Sequence, residues 1–318
     1  MKVLLTHTPQ SRRQYYGERA LTALRELAEV RLNERDAALD PPALIEAAAD
    51  VDAIIADRLA AGPGEVFRAL ASLKAFLRVA VDIRNIDVAA ASAAGVLVTR
   101  AQPGFMTAVA ELALGFLVDL SRGISRASAD YHAGRPPKVR MGRELAGATT
   151  GIIGYGAIGR HLAPLLAGLG MRVLVADPHV RVTPDTFEQV SLDDLLARAD
   201  YVICLAVATP ETENLIDANA LAVMRPSAYL VNVARGKVVN EPALIDALEQ
   251  KRIAGAALDC VWDEPLPATS ALWSVPNVLI TPHAAGETRR YEDNVIDLLL
   301  ENLERLWRGE AVLKNQFV

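Results

Sequence analysis

Three residues in the second half of the sequence have side chains suited to acid–base chemistry on a carbonyl compound. Arg235, Glu264 and His283 each come a few residues after a short apolar run. An arginine fork binds a carboxylate or carbonyl oxygen, and a histidine can donate a proton near neutral pH while a carboxylate fixes its ring. Each apolar run predicts a strand of a parallel sheet, and ligands bind beyond the carboxyl ends of such strands. We therefore expect the three side chains to lie at one edge of a sheet.

Each of these residues also has an ordinary structural explanation when it is taken alone. A single arginine is most often exposed or salt-bridged, a Glu-Pro pair is most often a turn, and a histidine after Thr-Pro can cap a strand. The common position of all three, after three separate strands, favours the catalytic interpretation.

A glycine-rich segment earlier in the sequence fits a nucleotide-binding turn. Residues 154–159 read Gly-Tyr-Gly-Ala-Ile-Gly, follow the apolar run 149–153 and open a predicted helix. The first glycine permits a tight turn, the second lets the backbone approach a pyrophosphate, and the third lets helix and strand pack closely. The candidate contacts in this segment are Gly154, Gly156, Ala157, Ile158 and Gly159.

An acidic residue in the right place extends this motif. Asp177 ends the next apolar run, 18 residues after Gly159. A carboxylate there accepts hydrogen bonds from the hydroxyls of an adenosine ribose and repels the extra phosphate of NADP. The segment therefore predicts NAD as the cofactor. A glycine-rich turn that binds nothing is the alternative, and the strand, helix and acid in register disfavour it.

The elements that must position these residues form two alternating series of strands and helices. Residues 1–99 predict one small α/β domain, and residues 149–280 predict a second. The last predicted helix, 288–308, is placed most simply against the first domain, so that the chain crosses twice and leaves a cleft. We predict an α/β protein with two doubly wound parallel-sheet domains. Residues 1–99 and 285–318 form one domain, and residues 100–284 form the other.

Composition excludes several other classes of protein. Hydrophobic residues make up 52% of the chain and charged residues 23%, as in folded globular proteins, and a net charge of −6 without a basic stripe argues against nucleic-acid binding. Cys204 and Cys260 lie in apolar runs, which predicts buried thiols and neither a disulfide nor a metal site. No segment fits a signal peptide or a membrane span, which predicts a cytoplasmic protein without a membrane partner.

Taken in order, the glycine motif and the segments around Arg235, Glu264 and His283 resemble the D-isomer-specific 2-hydroxyacid dehydrogenase family. The resemblance runs from about residue 53 into the last predicted helix. It implies a Rossmann cofactor domain, a flavodoxin-like substrate domain, and NAD-dependent interconversion of a 2-keto acid and a D-2-hydroxy acid. Arg235 would anchor the substrate, His283 would exchange the proton, and Glu264 would orient His283.

The resemblance also implies further contacts. Asp259 would meet the nicotinamide carboxamide, unless it is a plain strand-ending aspartate, and Val233, Ala234 and Gly286 would contribute backbone contacts around the nicotinamide ring. Residues 105–133 predict one long helix, which in this family joins two cofactor domains into a homodimer. Two alternatives stay open: an NAD-binding regulatory protein of the corepressor type without turnover, and a phosphite- or formate-type dehydrogenase. Formate dehydrogenase carries Gln where this chain has Glu264, which disfavours that reading.

The predicted substrate loop departs from the family pattern. Ala80 and Asp82 stand where the family usually has glycines, in the segment that leads to Asn-Ile-Asp at 85–87. The backbone N–H groups of Ala80 and Val81 could still bind a substrate carboxylate. Asp82 would either select a substrate with a hydroxyl or cationic group, or pair with a neighbouring arginine. The sequence leaves the particular 2-hydroxy acid and the physiological direction open.

Overall fold

The computed structural model describes residues 1–15, 17–80, 83–101, 105–183, 186–275 and 277–318, without the side chains of residues 14, 15, 17, 18 and 289–295. The predictions for Val81 and Asp82 lie outside the described residues. The chain forms two compact units, Met1–Gly104 together with Thr288–Val318, and Phe105–Glu287. Within the described ranges, no helix combines the length and the hydropathy that crossing a bilayer requires.

The first unit is built on a five-stranded parallel sheet with the strand order β2-β1-β3-β4-β5, the flavodoxin-like order. The elements of its first hundred residues are β1 (Lys2–Leu5), α1 (Pro9–Tyr15), α2 (Gly17–Leu27), β2 (Glu29–Leu32), α3 (Pro41–Ala47), β3 (Ala53–Ala56), α4 (Gly64–Ala69), β4 (Ala75–Arg78), α5 (Val88–Ala93) and β5 (Leu97–Thr99). Strands β3 and β4 are buried along their whole length, because apolar clusters cover both faces of the sheet.

Two helices of this unit, α1 and α5, are absent from the sequence prediction. Both are short, with seven and six residues. Helix α5 has a recognisable start, because the Asp87 side chain accepts a hydrogen bond from the Ala90 N–H at 3.0 Å. An aspartate before an alanine-rich run was thus the available signal.

The second unit contains a seven-stranded sheet in which every strand pair is parallel, with the order β12-β11-β10-β9-β6-β7-β8. Its elements are α6 (Met106–Arg122), α7 (Ile124–His132), β6 (Thr149–Ile153), α8 (Ala157–Gly168), β7 (Arg172–Ala176), β8 (Glu188–Gln189), α9 (Leu192–Arg198), β9 (Tyr201–Cys204), α10 (Ala218–Val223), β10 (Tyr229–Asn232), α11 (Glu241–Glu249), β11 (Gly255–Leu258) and β12 (Val278–Ile280). The predicted class, two parallel-sheet α/β domains, is confirmed. The predicted strand over residues 149–153 is observed with the same bounds as β6, and the short edge strand β8 was missed.

The prediction of one helix over residues 105–133 is wrong. Helix α6 ends at Gly123, which has a φ of +66° in the left-handed region that glycine adopts without cost, and α7 begins directly after it. Asp119 stabilises the break, because its carbonyl accepts from the Gly123 N–H and its carboxylate accepts from the Ser125 N–H at 2.8 Å. The apolar spacing continues through the break, and this continuity concealed it.

The chain returns to the first unit through its last helix, α12 (Arg289–Trp307). Ile296, Leu299 and Leu303 of this helix are buried in one apolar cluster with Leu5 and Leu77 of the sheet. The segment after position 288 therefore completes the core of the first unit.

A cluster of buried polar side chains lies at the carboxyl ends of β1, β3 and β4. His7 is 3% exposed, and Arg12 donates to its carbonyl oxygen at 2.9 Å. Arg78, 2% exposed, donates to the carbonyl oxygens of Asp57 and Ala60. Burial lowers the pKa of His7 to about 4, and the attraction of Asp57 offsets only part of this effect.

We expect the buried His7 to make the protein lose stability in acid. The unfolded chain takes up a proton at His7 near pH 6.5, whereas the folded protein does so only near pH 4. The contribution of His7 to the free energy of unfolding is therefore fully present above pH 6.5. It is lost as the pH drops towards 4 and below, and amounts to about 3 kcal/mol. Urea unfolding of the wild type and His7→Gln across this range measures the effect.

The informative quantity in that experiment is the slope of the unfolding free energy against pH, which His7→Gln should flatten. Substitution of the exposed His132 by Gln is the matched control and should leave the slope unchanged. Equal slopes for the wild type and His7→Gln would contradict the assignment.

Candidate active site

The predicted site residues of the second unit follow the carboxyl ends of neighbouring strands. His283 comes after β12, Glu264 after β11 and Arg235 after β10, and these three strands are adjacent and parallel. Further along the same edge, Gly154 follows β6 and Asp177 follows β7. The order of the strands in the sheet thus places Arg235, Glu264 and His283 towards one end of this edge and the glycine segment towards the other. The switch point of the sheet, between β9 and β6, lies between the two groups.

His283 and Glu264 form a direct pair. His283 Nδ1 lies 2.7 Å from Glu264 Oε2, and the two side chains are 24% and 29% exposed. The other carboxylate oxygen, Oε1, accepts from the Val261 N–H at 3.3 Å. This arrangement leaves Nε2 as the ring nitrogen that can face a reacting molecule.

The backbone of His283 has an uncommon conformation for a residue with a side chain. Its φ is +55°, in the left-handed region. Asp259, 2% exposed, holds the turn that follows: its carboxylate accepts from the Ala284 N–H at 2.8 Å and from the Ala285 N–H at 2.9 Å. It also accepts from the Thr281 hydroxyl at 2.5 Å. Three of its roughly four acceptor positions are therefore occupied by the segment that carries His283.

The loop that contains Arg235 is held by two hydrogen bonds with the side chain of Asn232. The Asn232 side chain, 1% exposed as a residue, donates to the Arg235 carbonyl at 3.0 Å and accepts from the Ala234 N–H at 3.1 Å. The Arg235 guanidinium is partly exposed and donates to the Ala234 carbonyl at 2.6 Å. Sequence reasoning did not select Asn232, although a buried asparagine that ends a strand before a candidate arginine was a usable signal.

The charges of these residues affect the pKa of a buried thiol, Cys260. Burial raises the pKa of the Cys260 thiol, the carboxylates of Glu264 and Asp259 raise it further, and the positive charge of Arg235 opposes them. Cys260 is 3% exposed and Cys204 is fully buried, and both are free thiols, as predicted. Cys260 therefore lies among the acid–base residues as a neutral thiol.

The glycine segment fits a dinucleotide. Gly154 has a φ of +95°, and a Cβ on it would come within 2.9 Å of the Leu205 backbone. A Cβ on Gly159 would lie 2.5 Å from the Gly154 carbonyl oxygen, so this glycine is needed for close packing of β6 and α8. A Cβ on Gly156 would meet nothing within 4 Å, and no side chain caps the helix that begins at Ala157. Open space in front of uncapped N–H groups suits a pyrophosphate.

Asp177 is held against this segment by backbone donors. Its carboxylate accepts from the N–H groups of Tyr155 at 2.7 Å, His179 at 2.8 Å and Val180 at 2.9 Å. Partial burial raises the pKa of Asp177, but these three hydrogen bonds outweigh burial and bring the pKa below its ordinary value. The carboxylate is thus ionised and fixed at the place predicted for the adenosine ribose.

The remaining predicted residues are placed as follows. Val233 is buried and Ala234 is partly exposed in the loop after β10. Gly286 follows the His283 turn, and a Cβ on it would come within 3.3 Å of the Phe105 ring. Ala80, in the first unit, is partly exposed two residues after β4, and its carbonyl accepts from the Ala101 N–H.

Comparison with known proteins shows what the chain is similar to. Residues 114–285 match the family model of the D-isomer specific 2-hydroxyacid dehydrogenase, NAD binding domain. The chain is similar to the D-3-phosphoglycerate dehydrogenase of Mycobacterium leprae (strain TN), with 36% identity over 86% of this chain and 52% of that protein. It is also similar to the glyoxylate reductase of Thermococcus onnurineus (strain NA1), with 33% identity over 92% of this chain and 91% of that protein. The apo-structure of D-lactate dehydrogenase from Escherichia coli has a TM-score of 0.87 and 27% identity, and the match covers 100% of both chains.

The chain belongs to the D-isomer specific 2-hydroxyacid dehydrogenase family, as the sequence motifs predicted. The matched NAD-binding domain agrees with the cofactor predicted from residues 154–159 and Asp177. The chain spans about half the length, 52%, of the phosphoglycerate dehydrogenase that it matches.

Proposed function

We propose that the protein is an NAD-dependent dehydrogenase that interconverts a 2-keto acid and a D-2-hydroxy acid. The observation that carries the proposal is the 2.7 Å pair of His283 and Glu264, on the same sheet edge as Arg235 and the glycine segment. In this proposal the cofactor domain, predicted from the sequence as residues 100–284, corresponds to the second unit. The substrate domain, predicted as residues 1–99 and 285–318, corresponds to the first unit.

The proposed roles of the side chains follow from their chemistry. NAD supplies a hydride acceptor in the oxidised form and a hydride donor in the reduced form. Arg235 binds the substrate carboxylate and polarises the keto oxygen through its planar fork of donors. His283 donates a proton from Nε2 to the oxygen that becomes the hydroxyl, and it removes this proton in the opposite direction. Glu264 holds Nδ1, which keeps the ring oriented and stabilises the imidazolium.

The contacts around the substrate and nicotinamide are proposed on the family resemblance. The backbone N–H groups of Ala80 and Val81 bind the substrate carboxylate. Asp259 offers its remaining acceptor position to the nicotinamide carboxamide, and the backbone at Val233, Ala234 and Gly286 borders the ring. For Asp259, support also comes from its fixed orientation, because three donors already hold the carboxylate.

Loss of NADH absorbance with a panel of 2-keto acids tests the proposed function. The panel contains glyoxylate, hydroxypyruvate, pyruvate, phenylpyruvate and 2-ketoglutarate, and each acid is measured with NADH and with NADPH. We expect turnover of at least one acid, with NADH preferred because the fixed Asp177 carboxylate repels a 2′-phosphate. NADH binding without turnover of any acid would refute the enzymatic proposal and favour an NAD-binding regulatory protein.

A homodimer through the second unit is part of the proposal. Five large apolar side chains of α6, α7 and the segment after them are exposed: Val118, Ile124, Tyr131, Val139 and Met141. Large exposed apolar side chains in one segment of the chain are candidates for an interface between subunits. Analytical ultracentrifugation should give a dimer for the wild type and a shift to monomer for Tyr131→Glu/Met141→Glu. A monomeric wild type would contradict it.

A further inference from the structure

Two loops that carry proposed catalytic residues are in direct backbone contact. We call residues 233–241 the arginine loop and residues 259–264 the acid loop. A Cβ on Gly236 of the arginine loop would overlap the Val261 carbonyl of the acid loop and come within 2.7 Å of the Trp262 nitrogen. The two loops can therefore approach this closely only because position 236 is a glycine.

Trp262 of the acid loop makes two hydrogen bonds to the arginine loop. Its indole N–H donates to the Val239 carbonyl at 2.7 Å, and its backbone N–H donates to a Glu241 carboxylate oxygen at 3.0 Å. Glu241 is the first residue of α11, where the partial positive charge of the helix N-terminus favours a carboxylate. The acceptor for the Trp262 backbone is thus itself held in place.

These bonds lead directly to the acid–base pair. Val261, the neighbour of Trp262, donates its N–H to Glu264 Oε1, while Glu264 Oε2 contacts His283 Nδ1. The Glu264 side chain is 29% exposed, so contacts with its neighbours and the hydrogen bond from the Val261 N–H both restrain it. Its orientation depends on the position of the acid-loop backbone, which Trp262 fixes against the arginine loop.

We propose that Trp262 is a positioning residue for the reaction. By tying the acid loop to the arginine loop, it keeps Glu264, and through it His283, in a constant relation to Arg235. This inference rests on the proposed function, but the geometry on which it stands belongs to the loops alone.

Steady-state kinetics of matched variants test the proposal. Trp262→Phe keeps the ring but removes the indole donor, and Glu241→Ala removes the acceptor for the Trp262 backbone. We expect each to lower kcat by about tenfold, since a displacement of ~1 Å at a site can cost about 100-fold. The NADH dissociation constant should stay within a factor of about two, because the glycine segment follows another strand. Glu241→Gln keeps an oxygen acceptor and should retain nearly the wild-type kcat.

The chain offers a chemically matched control. Trp273 also donates its indole N–H to a carbonyl, that of Pro267 at 2.9 Å, but Pro267 lies outside the arginine loop and Trp273 is 67% exposed. Trp273→Phe should keep the wild-type kcat. Circular dichroism and melting curves of all variants show whether a loss of kcat is a loss of fold.

A second readout does not depend on turnover. In protein with ¹⁵N-labelled histidine, the ring shifts of His283 show which nitrogen carries the proton in the neutral form, and His283→Asn assigns the signals. Wild type and Glu241→Gln should hold the proton on Nδ1, whereas Trp262→Phe and Glu241→Ala should give a mixture of tautomers. If the wild type reduces no keto acid, the proposed function fails and this readout still decides the role of Trp262.

The possible outcomes are distinct. Loss of kcat together with the change at His283, spared by Glu241→Gln and Trp273→Phe, supports the positioning role. Unchanged tautomers in Trp262→Phe and in Glu241→Ala overturn it, whether or not kcat falls, because Trp262 would then not act through Glu264 and His283.

Discussion

Replacement of His283 by asparagine is expected to lower kcat for keto-acid reduction by roughly 100- to 10,000-fold, the range that a positioned proton donor contributes. Asparagine cannot exchange a proton, yet it tolerates the left-handed region, so the φ of +55° at this position does not unfold the turn. Stopped-flow measurement of NADH oxidation, with NADH binding followed by fluorescence, separates loss of chemistry from loss of cofactor.

The same measurement on His132→Asn serves as the control, because His132 is an exposed residue of α7. A His283→Asn variant with wild-type kcat would show that the proton comes from elsewhere.

Replacement of Arg235 by lysine should lower kcat/KM for the keto acid by about 100-fold. Lysine keeps the positive charge, but a single ammonium cannot bind a carboxylate and a keto oxygen with two parallel donors. We expect NADH binding to be unchanged, because the loss concerns the substrate. Initial rates over a range of keto-acid concentrations measure the effect, and added guanidinium should restore part of the rate in Arg235→Ala.

Arg225→Lys is a suitable control for this substitution. Arg225 is an exposed arginine of the same unit that pairs with Asp200 at 3.1 Å, and it lies at the opposite, amino-terminal side of β10. It should keep the wild-type kcat/KM. Equal values for Arg235→Lys and the wild type would remove Arg235 from substrate binding.

The sequence was sufficient to predict the parallel sheets and to predict that Arg235, Glu264 and His283 follow strands of one sheet, because both depend on local patterns. Continuous apolar runs indicate buried parallel strands, and residues after parallel strands share one edge. Arg235, Glu264 and His283 could therefore be grouped without any knowledge of their contacts.

Other features depend on tertiary contacts that no local pattern encodes. The three hydrogen bonds of Asp259 to the His283 turn and the two of Trp262 to the arginine loop join residues 21 to 26 positions apart in the sequence. The buried polar cluster around His7 joins four segments of the first unit, and a charged residue is usually assigned to the surface. Gly123 differs from these cases, because a local signal was present there. A glycine can end a helix, but the continuous apolar spacing on both sides of Gly123 favoured the prediction of one long helix.

The three backbone donors on Asp177 have a consequence for changing the cofactor of this protein. Acceptance of NADP would require loss of the negative charge at this position, and here that change would also release the Tyr155 N–H, which belongs to the glycine segment. In the proposed function, cofactor preference and the order of the glycine segment are thus linked through Asp177. A serine or asparagine, which still offers an oxygen to these donors, is a better starting point for such a redesign than alanine or glycine.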